Sequence, residues 1–167
     1  MSKLLITALF LTVSLLGCAP PKQTPAVKYA ATIPPLSMIL FELAKGRAEV
    51  VTLLEGGASP HTFEPTPALA ANAQNSKALF WVGKGLDPWA EKLENPNKIA
   101  MMDLIDAGNF LRNMESNESE PNDPHFWLDP VIVKSIVPKL TAKLCELDPE
   151  GKAVYEANAS VLNTKLD

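Results

Sequence analysis

VKYAATIPPLSMILFELAKGRAEVVTLL, residues 27–54, is the stretch that decides the fold class of this chain. Val27–Ile33 is rich in β-forming residues and stops at two prolines, which predicts a short strand. Leu36–Lys45 has apolar residues at helical spacing and is followed by Gly46, a plausible helix terminator. Val50–Leu54 is almost wholly apolar, as expected of a strand buried on both faces of a sheet. The order is therefore strand, helix, strand.

The same alternation continues along the chain. Ala78–Val82 is another apolar run, and Ile99–Leu104 is a weaker one. Pro67–Ser76 and Pro88–Leu93 lie between these runs and have the composition of short helices. Regular alternation of strands and helices is typical of an α/β fold. We expect a single lobe with a mostly parallel sheet of about four strands, flanked by helices.

Four helix starts follow one pattern, in which a good N-cap residue precedes a proline. The cap side chain can accept an orphan backbone N–H, and proline has no N–H to lose at the first helical position. The four pairs are Thr66-Pro67, Asp87-Pro88, Asp129-Pro130 and Asp148-Pro149.

The last helix predicts how the chain is organised. It opens at Pro149 and its apolar stripe is still running at Asp167, with no glycine or proline to stop it. We therefore expect residues 27–147 to form the α/β lobe and residues 148–167 to be a truncated helix.

The amino terminus has the pattern of a lipoprotein signal. Lys3 precedes the apolar run Leu4–Leu16, which is shorter than the ~20 residues that span a bilayer. The run ends in Leu-Leu-Gly-Cys, which resembles the bacterial lipobox, so residues 1–17 are the expected signal peptide and Cys18 the expected lipidation site. Residues 18–26 are rich in proline, and we expect them to form the lipid anchor and the tether that links it to the lobe. An ordinary signal peptide with a chance cysteine is the alternative.

Composition limits the possible partners. The 167 residues are 47% hydrophobic and 20% charged, which is normal for a globular domain with a core. The net charge of −4 gives no reason to expect a nucleic-acid partner.

The chain has two histidines, and both lie just before a predicted helix start. His61 follows a predicted buried strand, and His125 precedes the helix that starts after Asp129. In open α/β sheets ligands bind beyond the carboxyl ends of the strands, and neutral imidazole is the commonest protein ligand of zinc. A pair of structural histidines is the alternative, because the chain has neither HExxH nor paired CxxC motifs. Glu64 and Asp129 are the nearest candidate carboxylates, and we expect Asp129 to act as a helix cap.

The two histidines lie in longer motifs, PHTFEPTP at residues 60–67 and DPHFWLDP at residues 123–130. These motifs resemble the signatures of the zinc/manganese ABC-transporter solute-binding lipoproteins. The resemblance extends from the lipobox to the last residue. It implies one metal ion held between two α/β lobes that a long helix connects, with His61 and His125 as the ligands of the first lobe. Residues 148–167 would then be the truncated start of that connecting helix. The second lobe of the family adds a His or Glu and an Asp or Glu, which this chain does not supply.

The resemblance implies a function without catalysis. We expect a periplasmic or extracytoplasmic protein, held at the membrane by its lipid anchor, that captures zinc (or manganese) as the transported ligand for an ABC importer and its permease. A truncated, non-transporting fragment of such a protein is one alternative, and a zinc hydrolase is another. The segment 113–123 is acidic and has no histidine, unlike the His-rich loop of many zinc members, so we expect a solvated loop there.

Overall fold

The computed structural model describes residues 27–54, 56–83, 85–106 and 123–167. Its centre is one sheet in which all neighbouring strands are parallel. The spatial order is β2-β1-β3-β4. The predicted α/β fold with a parallel sheet of about four strands is confirmed. The strands are β1 (Val27–Ala31), β2 (Ala48–Thr52), β3 (Ala78–Trp81) and β4 (Lys98–Ala100).

Helices connect and cover the strands. None of those in the described ranges is long and apolar enough to cross a membrane. The predicted signal peptide, Cys18 and the tether lie outside the described residues. The helices are α1 (Pro34–Ala44), α2 (Pro67–Gln74), α3 (Pro130–Leu147) and α4 (Lys152–Lys165), with short 3-10 turns at Pro88–Lys92, Met101–Leu104, Phe126–Leu128 and Pro149–Gly151.

The sheet is covered on both faces. Tyr29 and Phe80 point into the larger core, which α1, α3 and α4 complete. Ala30 and Leu79, one residue along each strand, point into a smaller core with α2 and the Pro88–Lys92 turn. This alternation follows from the two-residue period of a strand, and burial on both faces explains why the central strands are apolar throughout.

Two strand predictions need correction. β2 lies at the edge of the sheet, where Glu49 is exposed and Val50 only half-buried, so the expectation of burial on both faces was wrong. The predicted strand Ile99–Leu104 ends at Ala100, and the chain turns into a 3-10 helix at Met101. The apolar residues beyond each strand, Leu53 and Leu54 after β2 and Met101 and Leu104 after β4, are buried in the two cores.

Two of the four predicted caps are confirmed. Thr66 Oγ1 accepts a hydrogen bond from the backbone N–H of Leu69 at 3.4 Å. Asp129 Oδ1 accepts from Val131 at 2.8 Å and from Ile132 at 3.4 Å. Both side chains therefore satisfy orphan donors at the start of α2 and α3.

Asp87 was predicted to be a cap, and that prediction was wrong. Its side chain makes no capping bond to the turn that follows it. Asp87 is fully buried and accepts from Thr32 Oγ1 at 2.5 Å and from the backbone N–H groups of Val82 and Gly83 at 3.0 and 2.9 Å. The carboxylate ties the end of β1 to the loop after β3.

Asp148 also makes no capping bond and has a tertiary role instead. Its two oxygens accept from Arg47 Nε and Nη2, both at 2.6 Å, and Oδ2 accepts from the hydroxyl of Tyr155 at 2.7 Å. That hydroxyl lies 3.2 Å from the hydroxyl of Tyr29. The guanidinium lowers the pKa of Asp148, while burial raises the pKa of both tyrosines. This cluster joins α4 to β1 and to the start of β2.

Candidate metal site

The order of the strands determines where a ligand can approach. From β1 the chain moves to β2 on one side, and it then crosses to β3 and β4 on the other. Loops leave the carboxyl ends of the strands in opposite directions on the two sides of the β1–β3 pair. Such a switch point opens a crevice at the carboxyl edge, which is the usual ligand position in open α/β sheets.

The two histidines meet at this edge. His61 lies in the loop between β2 and α2, and His125 lies directly before the turn that leads into α3. Their ring centroids are 6.4 Å apart and both side chains are exposed. One zinc ion bound tetrahedrally by both rings at ~2.0–2.1 Å would bring the centroids to about 5 Å. The observed separation exceeds that by roughly 1 Å, a change that side-chain rotation can supply.

Asp123 orients the ring of His125. Its Oδ1 lies 2.7 Å from His125 Nδ1 and also accepts the backbone N–H of His125 at 2.9 Å. These bonds, the backbone one first, lower the pKa of Asp123. The ring of Trp127 also contacts the imidazole of His125 edge-to-face, with ring centroids 5.3 Å apart.

The loop that carries His61 is held by Trp89, which lies in the 3-10 turn that follows β3. Trp89 Nε1 donates to the carbonyl of Pro60 at 2.8 Å, one residue before His61. The Trp89 ring also packs edge-to-face on Phe63, with centroids 5.0 Å apart. A surface recess of about 390 Å³ lies beside this loop. It is lined by His61, Thr62, Phe63, Glu64, Pro65, Pro88, Trp89 and Lys92.

The candidate carboxylates fall in different places. Glu64 is exposed and lines the recess beside His61, whereas Asp129 caps α3 as predicted. Within the four described ranges, no group of three or more His, Cys, Asp or Glu side chains is placed to hold a metal ion. The pair of imidazoles is thus the donor set that the described residues bring together. Most of the predicted acidic loop 113–123 lies outside the described residues.

Two residues that hold the histidines in place, Asp123 beside His125 and Trp89 beside the His61 loop, were not predicted from the sequence. Asp123 was assigned to the acidic loop, although Asp-Pro-His carries a signal, since an Asp side chain often accepts the backbone N–H two residues on. Trp89 carried no such signal, because Pro60, which accepts its hydrogen bond, lies 29 positions away in the sequence.

The fold and the paired imidazoles define a class, namely an α/β domain with two nitrogen donors at the carboxyl edge of its parallel sheet. The family model described as ZnuA, zinc-uptake complex component A, periplasmic, matches residues 30–167. The match covers most of the chain, and the chain therefore belongs to this family.

Individual relatives agree with the family. The high-affinity zinc uptake system protein ZnuA of Bacillus subtilis is 26% identical over 96% of this chain and 56% of its own length. The manganese-binding lipoprotein MntA of Halalkalibacterium halodurans is 30% identical over 74% of this chain and 41% of its own length. A crystal structure of ZnuA has a TM-score of 0.69 and 33% identity, covering 84% of this chain and 55% of that one. The chain thus spans about half the length of the relatives it matches.

Proposed function

We propose that this chain is the amino-terminal, metal-capturing part of a solute-binding lipoprotein that delivers zinc to an ABC importer. The observation that carries the proposal is the meeting of its two histidines, with ring centroids 6.4 Å apart, at the carboxyl edge of the sheet. His61 and His125 would be two ligands of the transported ion. Because both side chains are exposed, an ion can reach them from solvent.

The chemistry of the donors supports zinc over manganese as the transported ion. Imidazole nitrogen suits zinc, copper and nickel, whereas carboxylate, carbonyl and water oxygens suit manganese. The names of the relatives include both metals, since one is a zinc uptake protein and another a manganese-binding lipoprotein. Two nitrogen donors in this part of the site shift the preference of the chain toward zinc. Manganese stays the second candidate.

Two imidazoles make an incomplete zinc site. A closed zinc site normally has four ligands, so water or groups from elsewhere would fill the remaining positions. We therefore propose that residues 27–147 act as one lobe of a larger binding protein and that residues 148–167 begin the helix leading to the rest. This chain should bind zinc more weakly than a full-length relative.

Lipid attachment at Cys18 would keep the captured ion near the permease. The Leu-Leu-Gly-Cys sequence and the proline-rich tether support this step, as does the name of the manganese-binding relative, which is called a lipoprotein. Acyl chains bury CH₂ groups at ~0.8 kcal/mol each, which is enough to hold a domain at a membrane surface. The partners we propose are the membrane, through the lipid, and the permease of the importer.

Calorimetric titration of the detergent-purified chain with zinc tests the proposal. We expect specific binding in the parent, its loss in His61→Ala and in His125→Ala, and weaker binding of manganese. Glu64→Gln is the matched control, because Glu64 lines the same recess as His61 and should have little effect. If the double histidine variant kept the affinity of the parent, the site assignment would be wrong.

A further inference from the structure

The two imidazoles differ in what holds them. Asp123 Oδ1 contacts both the backbone N–H and the ring Nδ1 of His125, at 2.9 and 2.7 Å. Pro124 between them has a fixed φ and stiffens this turn. His61 has no hydrogen bond to its ring within the described ranges, and its loop is held through the carbonyl of Pro60 instead. Among the residues that the structure describes, a carboxylate therefore orients the ring of His125 but not that of His61.

A carboxylate that faces one ring nitrogen selects the tautomer of a neutral imidazole. An ionised carboxylate can only accept, so Nδ1 must carry the proton in the contact with Asp123. The lone pair then lies on Nε2, at the outer end of the ring. A free histidine side chain in water prefers the opposite form, with the proton on Nε2 and the lone pair facing its own backbone. The structure thus points to a reversal of the ordinary preference at one of the two rings.

We propose that Asp123 is a positioning residue that holds His125 as the Nδ1–H tautomer, so that Nε2 is the nitrogen offered to the metal. This inference rests on the proposed function for its metal-binding half. Partners of this kind fix the tautomer and raise the basicity of a ligating imidazole, and their loss typically costs about 10–100-fold in metal affinity. The side chain of Asp123 is 68% exposed, so we expect the lower end, about 10-fold.

The tautomer can be measured without metal. The detergent-purified chain labelled with ¹⁵N-histidine contains two imidazoles, so a long-range ¹H–¹⁵N correlation spectrum shows four ring nitrogens. At pH 8.5 an ordinary imidazole with a pKa of ~6.5 is neutral. We expect a protonated Nδ1 and an unprotonated Nε2 for His125, and the reverse for His61, which serves as the internal control. A majority of Nε2–H at His125 in the parent would overturn the proposal without any variant.

Two substitutions separate orientation from charge. Asp123→Ala removes the acceptor and should return His125 to the Nε2–H form with about 10-fold weaker zinc binding. Asp123→Asn removes the charge but keeps a carbonyl oxygen, so it should keep the Nδ1–H form and most of the affinity. If Asp123→Asn kept the tautomer yet bound zinc as weakly as Asp123→Ala, the carboxylate would act by charge attraction, and the positioning role would be wrong.

Glu146→Ala is the control for loss of one surface charge. Glu146 is exposed in the last turn of α3, roughly 24 Å along the helix from its start near His125, and should change neither measurement. The two readouts also separate this inference from the proposed function. Zinc binding that is absent in the parent, or unaffected by His61→Ala and His125→Ala, would refute metal capture, and with it the assignment of Nε2 as a ligand. An unchanged tautomer in Asp123→Ala would refute the positioning role even if zinc still bound at the histidines.

Discussion

Replacing Asp87 by asparagine tests how the carboxyl edge of the sheet is held together. Asp87 Oδ2 accepts from Thr32 Oγ1 and from the backbone N–H of Val82, while Oδ1 accepts from the backbone N–H of Gly83. Asparagine has the same shape, but its NH₂ group cannot accept a hydrogen bond. Whichever way the amide turns, NH₂ faces a backbone N–H, and either Val82 or Gly83 loses its acceptor.

The expected loss in the free energy of unfolding follows from the burial of Asp87. Asp87 is 0% exposed, so water cannot replace the lost acceptor. A hydrogen bond to a charged group contributes about 1.5–3 kcal/mol, and a buried donor without a partner costs about 1–3 kcal/mol. Because these two effects overlap, we expect Asp87→Asn to lower the free energy of unfolding by about 3 kcal/mol. For a chain of this size, that lowers Tm by roughly 6–12 °C.

Urea unfolding followed by far-ultraviolet circular dichroism measures the effect. Thr32→Val is the matched control, because it removes one donor but leaves both backbone N–H groups bound to Asp87. Its expected cost is about 1.5–2 kcal/mol, the lower end for a hydrogen bond to a charged group, because Asp87 keeps both backbone donors. If Asp87→Asn cost no more than Thr32→Val, with the same denaturant dependence, the carboxylate would not be what joins β1 to the loop after β3.

Three further predictions concern the hydrogen-bonded cluster around Asp148 and the amino terminus. Tyr155→Phe removes the hydroxyl that donates to Asp148 at 2.7 Å, and because the acceptor is charged and buried we expect a loss of about 2 kcal/mol in urea unfolding. An unchanged midpoint would contradict this role of the hydroxyl. The Arg47 guanidinium lowers the pKa of Asp148 below its unfolded value, so this carboxylate stabilises the fold above about pH 4 and the contribution disappears as pH falls further. Asp148→Asn should therefore lose less stability than the parent between neutral pH and acid, and parallel acid-unfolding curves would count against it. Cys18→Ser should move the chain from the membrane pellet to the soluble fraction after ultracentrifugation, whereas equal partitioning of variant and parent would exclude lipid attachment.

The candidate site could be predicted from the sequence only in part. Each histidine lies in a motif with a turn and a helix start, so its position in a loop at the carboxyl edge of the sheet could be predicted. The meeting of His61 and His125 depends on which strands the crossovers make neighbours, and that is a property of the whole sheet. Their role as ligands stays a prediction. Asp123 could have been found from its spacing to His125, but Trp89 could not, because its partner is distant in the chain.

Local energetics explain what the sequence by itself determined about this fold. Strands and helices follow the period of their apolar residues, and the caps Thr66 and Asp129 bond to N–H groups two or three residues away, so short windows of sequence contain the information. Tertiary structure alone decided the roles of Asp87 and Asp148, which have the same Asp-Pro pattern as Asp129 but are buried. A buried carboxylate must find donors wherever packing brings them, and here packing brings Thr32 to Asp87 and Arg47 to Asp148. Asp129 is only half-buried, so its carboxylate can bond to its own helix. The packing of the sheet and helices determines which of these carboxylates water can reach.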